Sequence, residues 1–377
     1  MADSEDKFML LIYLEENLEL PKGMKLIAGG LQYIDKKNLS DEEFYRRLYA
    51  VSELDECTED IKAEPKQQQE PCDCKCAVKI YEKLGGRENY IKALEVYQKC
   101  LEMLEELHKK SEQNEYLNDL SLAYKKAADI SRRIGEKEYS DMSLMYYEKY
   151  LSLYEDIVLM TDSLEDKKVL SAGYNRTAKM YEQRGGRDNL VKALELSKKD
   201  IFLSKGLCTL ENTQENKRNL LISYHTTANI SEQLGGKKNL QNALDLYQKA
   251  LVLSEQLSAS ENTSESKRDL SVSYEKVAGI YEKLGGKDNL QKALELYQKD
   301  MEICEQLSAS ENTINAYDDL ALSLYKVAMH EYTDKQTKKQ LLERAVLIAK
   351  MLYDNLPNER YEIFVRVFER ELKNMGK

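Results

Sequence analysis

Four cysteines in one short stretch have the spacing that comes nearest to a metal site. Cys72, Cys74 and Cys76 alternate with single residues, and Cys57 lies upstream. Structural zinc sites use pairs separated by about two to four residues, and alternating positions on a helix point in different directions around its axis. We therefore expect no metal and no cofactor here. A metal protein or enzyme built on Cys57–Cys76 is kept as an alternative.

The histidines predict no catalytic site either. His108, His225 and His330 stand more than 100 residues apart. No Ser/His/Asp or Cys/His arrangement accompanies them, and the many carboxylates have the spacing of solvated helix faces with Lys partners. The sequence predicts a protein that is not an enzyme.

Glycine pairs recur along the chain and resemble phosphate-binding loops only superficially. A phosphate loop follows a strand, whereas a helical pattern precedes each of these pairs. Glycine ends helices because it reaches the left-handed conformation without a steric penalty. The first glycines of these turns, together with the single glycine of the second unit, are spaced 50 residues apart: Gly85, Gly135, Gly185, Gly235 and Gly285.

The same step of 50 residues relates apolar and small residues. It connects Ala128, Ala178, Ala228, Ala278 and Ala328, and also Leu120, Leu170, Leu220, Leu270 and Leu320. A fixed period of this size indicates stacked supersecondary units, each too small to bury its own apolar face.

Composition favours helix and excludes several classes of function. Of 377 residues, 42% are hydrophobic and 33% charged, and none of the four prolines lies between residues 72 and 356. The net charge is −11, and residues 1–60 hold 15 Asp and Glu against 7 Lys and Arg. Without a basic stripe we expect no nucleic-acid binding. An acidic start and a short apolar run predict a cytoplasmic protein with reduced thiols and no membrane partner.

Residues 262–311 illustrate the repeating unit. Asn262, Thr263 or Ser264 can cap a first helix that ends at Gly285–Gly286. Asp288 or Asn289 is expected to cap the second helix. The expected core stripe follows a spacing of three or four residues. It comprises Leu270, Tyr274, Val277, Ala278 and Tyr281 on the first helix, and Ala293, Leu294, Tyr297, Met301 and Cys304 on the second. The recurring motif positions are Tyr274, Val277, Ala278, Tyr281, Ala293, Tyr297 and Asp300 here, and Tyr224, Thr227, Ala228, Ser231, Ala243, Tyr247 and Ala250 in the preceding unit.

This pattern resembles the tetratricopeptide repeat family over residues 72–352. It departs from the family in its period of 50 rather than about 34 residues, in a longer turn and in the missing closing proline. The resemblance implies an all-α protein, a right-handed α-solenoid of stacked helix pairs. We expect a small acidic helical unit (1–55), a linker (56–71), six repeats (72–356) and a C-terminal capping helix (357–377). The sixth repeat is degenerate, with Lys335 in the position of glycine.

The resemblance also implies a function. First helices of the family line a concave groove that binds proteins or peptides, so we expect a non-catalytic adaptor or regulatory scaffold. The alternative is a peptide-sensing regulator that acts on a partner protein through its N-terminal unit; its acidic balance opposes a DNA-binding form. Clustered guanidinium groups suit a partner with an acidic or C-terminal motif. The groove residues, carried over by register, are Lys125, Asp129, Arg132, Arg133, Asn175, Lys179, His225 and Asn229.

Overall fold

The structure is a computed structural model that describes residues 81–82, 85–110 and 116–375. These residues form twelve helices, and no strand occurs among them. In chain order the helices are α1 (Arg87–Lys110), α2 (Leu117–Ile134), α3 (Lys137–Thr161), α4 (Leu164–Arg184), α5 (Arg187–Leu210), α6 (Gln214–Leu234), α7 (Lys237–Glu261), α8 (Ser264–Leu284), α9 (Lys287–Glu311), α10 (Ile314–Met329), α11 (Lys335–Asn355) and α12 (Glu359–Asn374).

The chain divides into two compact units, residues 1–96 and 97–377. Of the first unit the structure describes a glycine turn and the beginning of α1, which ends in the second unit. The predicted helical unit, the linker and the beginning of the first repeat lie outside the described residues. So do Cys57, Cys72, Cys74 and Cys76.

In the second unit each helix packs against the next one in the chain, from α2 on α3 to α11 on α12. We call α2, α4, α6, α8 and α10 the first helices of their pairs and α3, α5, α7, α9 and α11 the second helices. The predicted fold class, an all-α solenoid of stacked helix pairs that ends in a capping helix, is confirmed.

Alanines mark the positions where the helices approach one another most closely. Each first helix carries a completely buried alanine, and these alanines are spaced 50 residues apart. Three second helices also carry a completely buried alanine, again at a spacing of 50 residues. Since the distance between packed helices depends on the side chains at the contact, a methyl group permits a close crossing. These residues are Ala128, Ala178, Ala228, Ala278 and Ala328, followed by Ala193, Ala243 and Ala293.

The glycine turns have the left-handed backbone that the sequence predicts, with φ of 66° at Gly285 and 88° at Gly286. The expectation that Asp288 or Asn289 caps the following helix is wrong. Gly286 occupies the N-cap of α9, and no side chain caps that end. Asn289 instead donates from Nδ2 to the carbonyl oxygen of Gly285 at 2.8 Å, which ties the second helix to the end of the first. Asn189 and Asn239 do the same at 2.8 Å in their own turns.

Four of the five first helices, α4, α6, α8 and α10, begin at side-chain caps, whereas no side chain caps α2. Thr263 accepts a hydrogen bond from the backbone N–H of Ser266 at 3.2 Å, and Ser266 accepts one from the N–H of Thr263 at 3.1 Å. This reciprocal pair satisfies two backbone donors that a helix start leaves without partners. Thr263 is therefore the cap among the three candidates.

The last helix pair replaces the glycine turn with a different connection. α10 ends at Met329, and Asp334 caps α11 by accepting from the N–H groups of Gln336 and Thr337 at 3.0 and 2.9 Å. Lys335 therefore begins a helix where glycine ends one in the earlier pairs. The reason is local, because Asp334 offers the carboxylate that a helix N-terminus prefers.

Helix α12 covers the apolar surface at the end of the array. Phe368 is 2% exposed, and its ring stacks on Tyr325 of α10 at 4.6 Å and on Phe364 at 5.3 Å between centroids. Tyr361 is also buried, and Val365 and Leu372 pack on the same core. The apolar face of α12 is therefore the face that packs on the array.

We expect Ala278→Leu to destabilise the array because the larger side chain cannot fit at a closed helix crossing. The free energy of unfolding should fall by roughly 1–3 kcal/mol, measured from the urea midpoint. Lys238→Leu, at an exposed position of α7, should change it by less than about 0.5 kcal/mol. Equal midpoints for the two variants would contradict the assigned crossing.

We expect Asn239→Ala to weaken the turn between α6 and α7. The substitution removes the bond to the carbonyl of Gly235 and should cost about 0.5–1.5 kcal/mol of unfolding free energy. Asn242→Ala, at an exposed position three residues further along α7, is the matched control and should leave the urea midpoint near that of the wild type. A control variant that loses as much stability would show that the turn bond contributes nothing.

Candidate functional site

Polar side chains join each first helix to the next one. Arg176 on α4 contacts Asp129 on α2, with 2.9 Å between Nη1 and Oδ1. Asn229 and Gln233 on α6 both donate to Glu182 on α4, Gln233 at 2.5 Å. The partners in these bonds are 47 or 51 residues apart, about one repeat. The polar face of the first helices is therefore held in place before any partner binds.

A cavity of about 350 Å³ opens between the first helices α4 and α6, and α5 forms its floor. Three of its lining residues are cationic, and three carry hydroxyl groups. The lining residues are Lys168, Ser171, Ala172, Asn175, Arg176 and Lys179 from α4, Asp200, Ser204 and Leu207 from α5, and Asn219, Ile222 and Ser223 from α6. We call it the first cavity.

A buried carboxylate lies at the floor of the first cavity. Asp200 is 1% exposed, and its Oδ1 accepts from the hydroxyls of Ser171 and, at 3.3 Å, Ser204. Its Oδ2 accepts from Nδ2 of Asn175 at 2.9 Å. Burial raises the pKa of Asp200, although the hydrogen bonds from Ser171 and Asn175 oppose this effect. Asp200 therefore binds its proton more tightly than an exposed aspartate does.

Sequence reasoning did not single out Asp200, although the register contains a signal. The positions one repeat apart are Cys100, Tyr150, Asp200, Ala250 and Asp300, so acids occur twice at a buried position of the second helix. Asp300 is 3% exposed and accepts from Ser271, and burial raises its pKa too. An acid in a register that elsewhere holds uncharged side chains predicts a buried polar network.

A second cavity of about 320 Å³ lies one repeat further along, between α6 and α8. It shares Lys179 and Ile222 with the first cavity. Its lining residues are Lys179, Glu182, Leu221, Ile222, His225, Thr226, Asn229, Tyr247, Asp269, Val272 and Lys276. The two cavities therefore form adjoining parts of one first-helix surface, which we call the groove.

His225 lines the second cavity as an uncharged side chain. Its Nε2 lies 3.1 Å from the hydroxyl of Ser273, and its ring contacts Tyr247 edge-on at 5.6 Å between centroids. Burial, assisted by the charge of Lys276, lowers the pKa of His225 to about 4. At neutral pH this side chain can exchange hydrogen bonds, but it adds no positive charge.

Four of the sequence-predicted site residues line the groove, but His225 and two asparagines among them already have intramolecular partners. Asn175 donates to Asp200 at 2.9 Å and to Thr226 at 3.2 Å, and Asn229 donates to Glu182. Lys179, in contrast, is exposed and belongs to both cavities. Lys179 is therefore the predicted residue best placed to contact a bound partner.

The other four predicted residues lie on α2. The ammonium of Lys125 is 6.0 Å from the ring centre of Tyr150, while Asp129 is the partner of Arg176. Arg132 and Arg133 are exposed in the last turn of α2 and are not among the residues that line the two cavities. That these arginines share one groove with Lys179 stays a prediction.

Exposed apolar side chains run along the same face of the first helices. Leu122, Ile222 and Val272 are 45%, 41% and 43% exposed and occupy one register of the repeat. Ile222 lines both cavities and Val272 lines the second. The groove thus presents aliphatic side chains beside cationic ones. Exposed apolar residues that stand alone on a protein surface lack this combination.

The thiols of the described residues have the character of core groups. Cys100 and Cys304 are buried and Cys208 is half-buried; burial raises the pKa of Cys304 to about 12, so this thiol is not a nucleophile at neutral pH. Within the described ranges, no three His, Cys, Asp or Glu side chains are placed to hold a metal ion. The helices in these ranges also lack the apolar length that crossing a membrane requires.

The raised pKa of Asp200 predicts a pH-dependent stability. The folded state holds the proton more tightly than the unfolded chain, whose ordinary value is 3.8. This contribution is therefore present at low pH and is lost as pH rises through the folded pKa. We expect the unfolding free energy of Asp200→Asn, relative to wild type, to rise between about pH 4 and about pH 7.

Urea titrations across this pH range measure the difference, with Asp245→Asn at an exposed position of α7 as the control. The control should follow the wild type at every pH. A difference between Asp200→Asn and wild type that does not change with pH would show that the carboxyl titrates normally.

Comparisons with known proteins give structural similarity at low identity. The chain is similar to the S. pombe nuclear import adaptor Nro1, with 12% identity over 79% of this chain and 98% of that chain and a TM-score of 0.47. It is similar to BtubC (BKLC) from P. vanneervenii, with 16% identity over 71% and 94% and a TM-score of 0.44. For yeast Tom70 the values are 14%, 89%, 76% and 0.27. No family model and no curated protein matches the chain.

Proposed function

We propose that the array is a non-catalytic scaffold that binds a segment of a partner protein along its first helices, as an adaptor or regulator. The observation that carries this proposal is the pair of adjoining cavities that share Lys179 and Ile222. Each has the volume of an ordinary ligand pocket, about 300–1,000 Å³. Both are built on rigid helices whose polar faces are already joined from repeat to repeat.

The dimensions of the groove suit an extended peptide. Packed helices lie about 8–10 Å apart, so the three first helices α4, α6 and α8 together span roughly 20 Å. An extended chain advances about 3.3 Å per residue. A segment of roughly six residues would therefore contact all three helices, with aliphatic side chains on Ile222 and Val272.

The charges of the groove favour an acidic segment. Lys168, Arg176, Lys179 and Lys276 line the two cavities. The opposing carboxylates are Asp200, Glu182 and Asp269, and burial raises the pKa of all three. Since four cations line the two cavities and burial disfavours the charged forms of these three acids, a partner that brings its own carboxylates, in side chains or at its C-terminus, is complementary. We propose the cytoplasm as the compartment in which the two proteins meet.

A groove variant tests the proposal. Lys179→Glu with Ile222→Asp reverses the shared cation and removes the shared apolar contact. For a partner identified by co-purification with wild type and mass spectrometry, affinity should fall at least about tenfold, equal to about 1.4 kcal/mol. Isothermal titration calorimetry on the purified pair measures the change. Added salt should weaken wild-type binding because it screens exposed charges.

The matched control makes the same two kinds of substitution on a second helix, Lys238→Glu with Val252→Asp, at exposed positions of α7. Lys249 is less suitable as a control because it lines a separate cleft between second helices. If the control loses the partner while the groove variant keeps it, the partner binds the second helices and the proposed site is wrong.

A further inference from the structure

Helix α5 exposes a row of apolar and small residues on the side opposite its core contacts. Phe202 is 77% exposed and Leu210 is 64% exposed, and Gly206 lies midway between them, also exposed. Residues four apart on a helix lie on one face. The three therefore form a continuous row on the outer face, which we call the α5 stripe.

The repeat itself shows that the α5 stripe is not a requirement of the fold. The same three positions on other second helices, and on α1, are mostly polar. They are Glu102, Glu106 and Lys110 on α1, Ser152, Asp156 and Met160 on α3, Val252, Gln256 and Ser260 on α7, and Glu302, Gln306 and Ser310 on α9. Since α3, α7 and α9 pack on both of their neighbours as α5 does without an outer apolar row, the α5 stripe serves another purpose.

Gly206 is the most informative member of the α5 stripe. A glycine within a helix costs roughly 0.5–1 kcal/mol relative to alanine, and nothing in the array requires one here. A β-carbon added at Gly206 would meet no atom within 4 Å, and its φ is not in the left-handed region. The glycine therefore leaves room for something outside the chain, namely a close approach of another backbone.

The spacing of the α5 stripe is symmetric about Gly206, because Phe202 and Leu210 each lie four residues from it. In an antiparallel helix pair centred on Gly206, the phenyl ring of each copy lies against the leucine of the other. The two glycines meet at the crossing, where the absence of side chains permits a short distance between the helix axes. This is the self-complementary arrangement of a two-fold interface.

The charges beside the α5 stripe do not oppose such a pair. The ammonium of Lys205, next to Gly206, is directed at the ring of Tyr224 on α6, 5.7 Å from its centre. The hydroxyl of Thr209 donates to the carbonyl of Lys205 within the same helix at 2.9 Å. Lys205 therefore contacts an aromatic ring of its own chain, and Thr209 adds no charge to the crossing.

We propose that the α5 stripe is a homodimer interface in which two copies of the chain pair their α5 helices in antiparallel orientation about Gly206. Each Phe buries about 150–250 Å², so two Phe and two Leu side chains cover less than the roughly 1,200 Å² of a stable interface. The dimer is therefore weak and depends on concentration. It uses the second-helix side, so it is independent of the groove and of the function proposed for it.

Sedimentation velocity on the full chain tests the interface between about 1 and about 200 µM, where weak interfaces equilibrate. Wild type should form dimers as the concentration rises. Gly206→Gln copies the residue that Gln256 and Gln306 supply in the same register. It should raise the dimer dissociation constant at least about tenfold and also raise the urea midpoint, because it removes a helix glycine. A variant that is more stable as a monomer but fails to dimerise cannot be explained by misfolding.

Phe202→Ser should likewise weaken the dimer, while Val252→Ser, at the equivalent position of α7, should leave it unchanged. The proposal is overturned if wild type stays monomeric throughout the concentration range. It is also overturned if a dimer forms that tolerates both Gly206→Gln and Phe202→Ser, or if Val252→Ser disrupts the dimer as strongly as they do.

Discussion

Close contact between successive helices at buried alanines is the constraint on which the rest of this array depends. Ala228 and Ala278 have no exposed surface, so the helices that cross there cannot separate or turn without opening a gap in the core. A constant crossing at every repeat places equivalent side chains at a constant offset. The bonds from Glu182 to Asn229 and Gln233 form because of that offset. The binding surface is thus a consequence of the core.

The core is not uniformly apolar, and its polar parts occur where the groove is deepest. Asp200 lies below the first cavity and holds Ser171 and Asn175 in fixed positions. Replacing such a network with apolar residues is often neutral for stability, whereas half-satisfying it is costly. The network fixes the position of α4 relative to α5. An alanine contact alone would allow the two helices to slide along each other. The shape of the cavity therefore rests on a buried acid that the repeat pattern does not require.

The fold could be predicted from the sequence because the same pattern of turn, cap and core residues recurs in successive repeats. The glycine pair at Gly285–Gly286 ends one helix, Thr263 begins another, and the period fixes which residues face inward. The role of Asn289 was mispredicted because asparagine is equally suited to capping a helix and to binding a carbonyl in a turn. Only the position of its side chain distinguishes the two.

The candidate site was less accessible to sequence reasoning than the fold. Register placed Lys179 and His225 on the groove face, where both lie, but it could not reveal that Asn175 and Asn229 are occupied by neighbours one repeat away. It also could not show that His225 is half-buried and uncharged at neutral pH. Contacts between side chains of different repeats depend on rotamers and on burial, and no periodic pattern in a single sequence encodes them.

The short range of the contacts also bears on how the chain folds. Every helix of the second unit packs chiefly on its neighbours in sequence, so little loop entropy is lost before a pair becomes stable. Folding of such an array can begin at any helix pair and spread in both directions. α12 differs from the helices before it, because the ring of its Phe368 stacks on Tyr325 of α10. Spreading that arrives at this end therefore finishes with an aromatic packing step rather than with another alanine crossing.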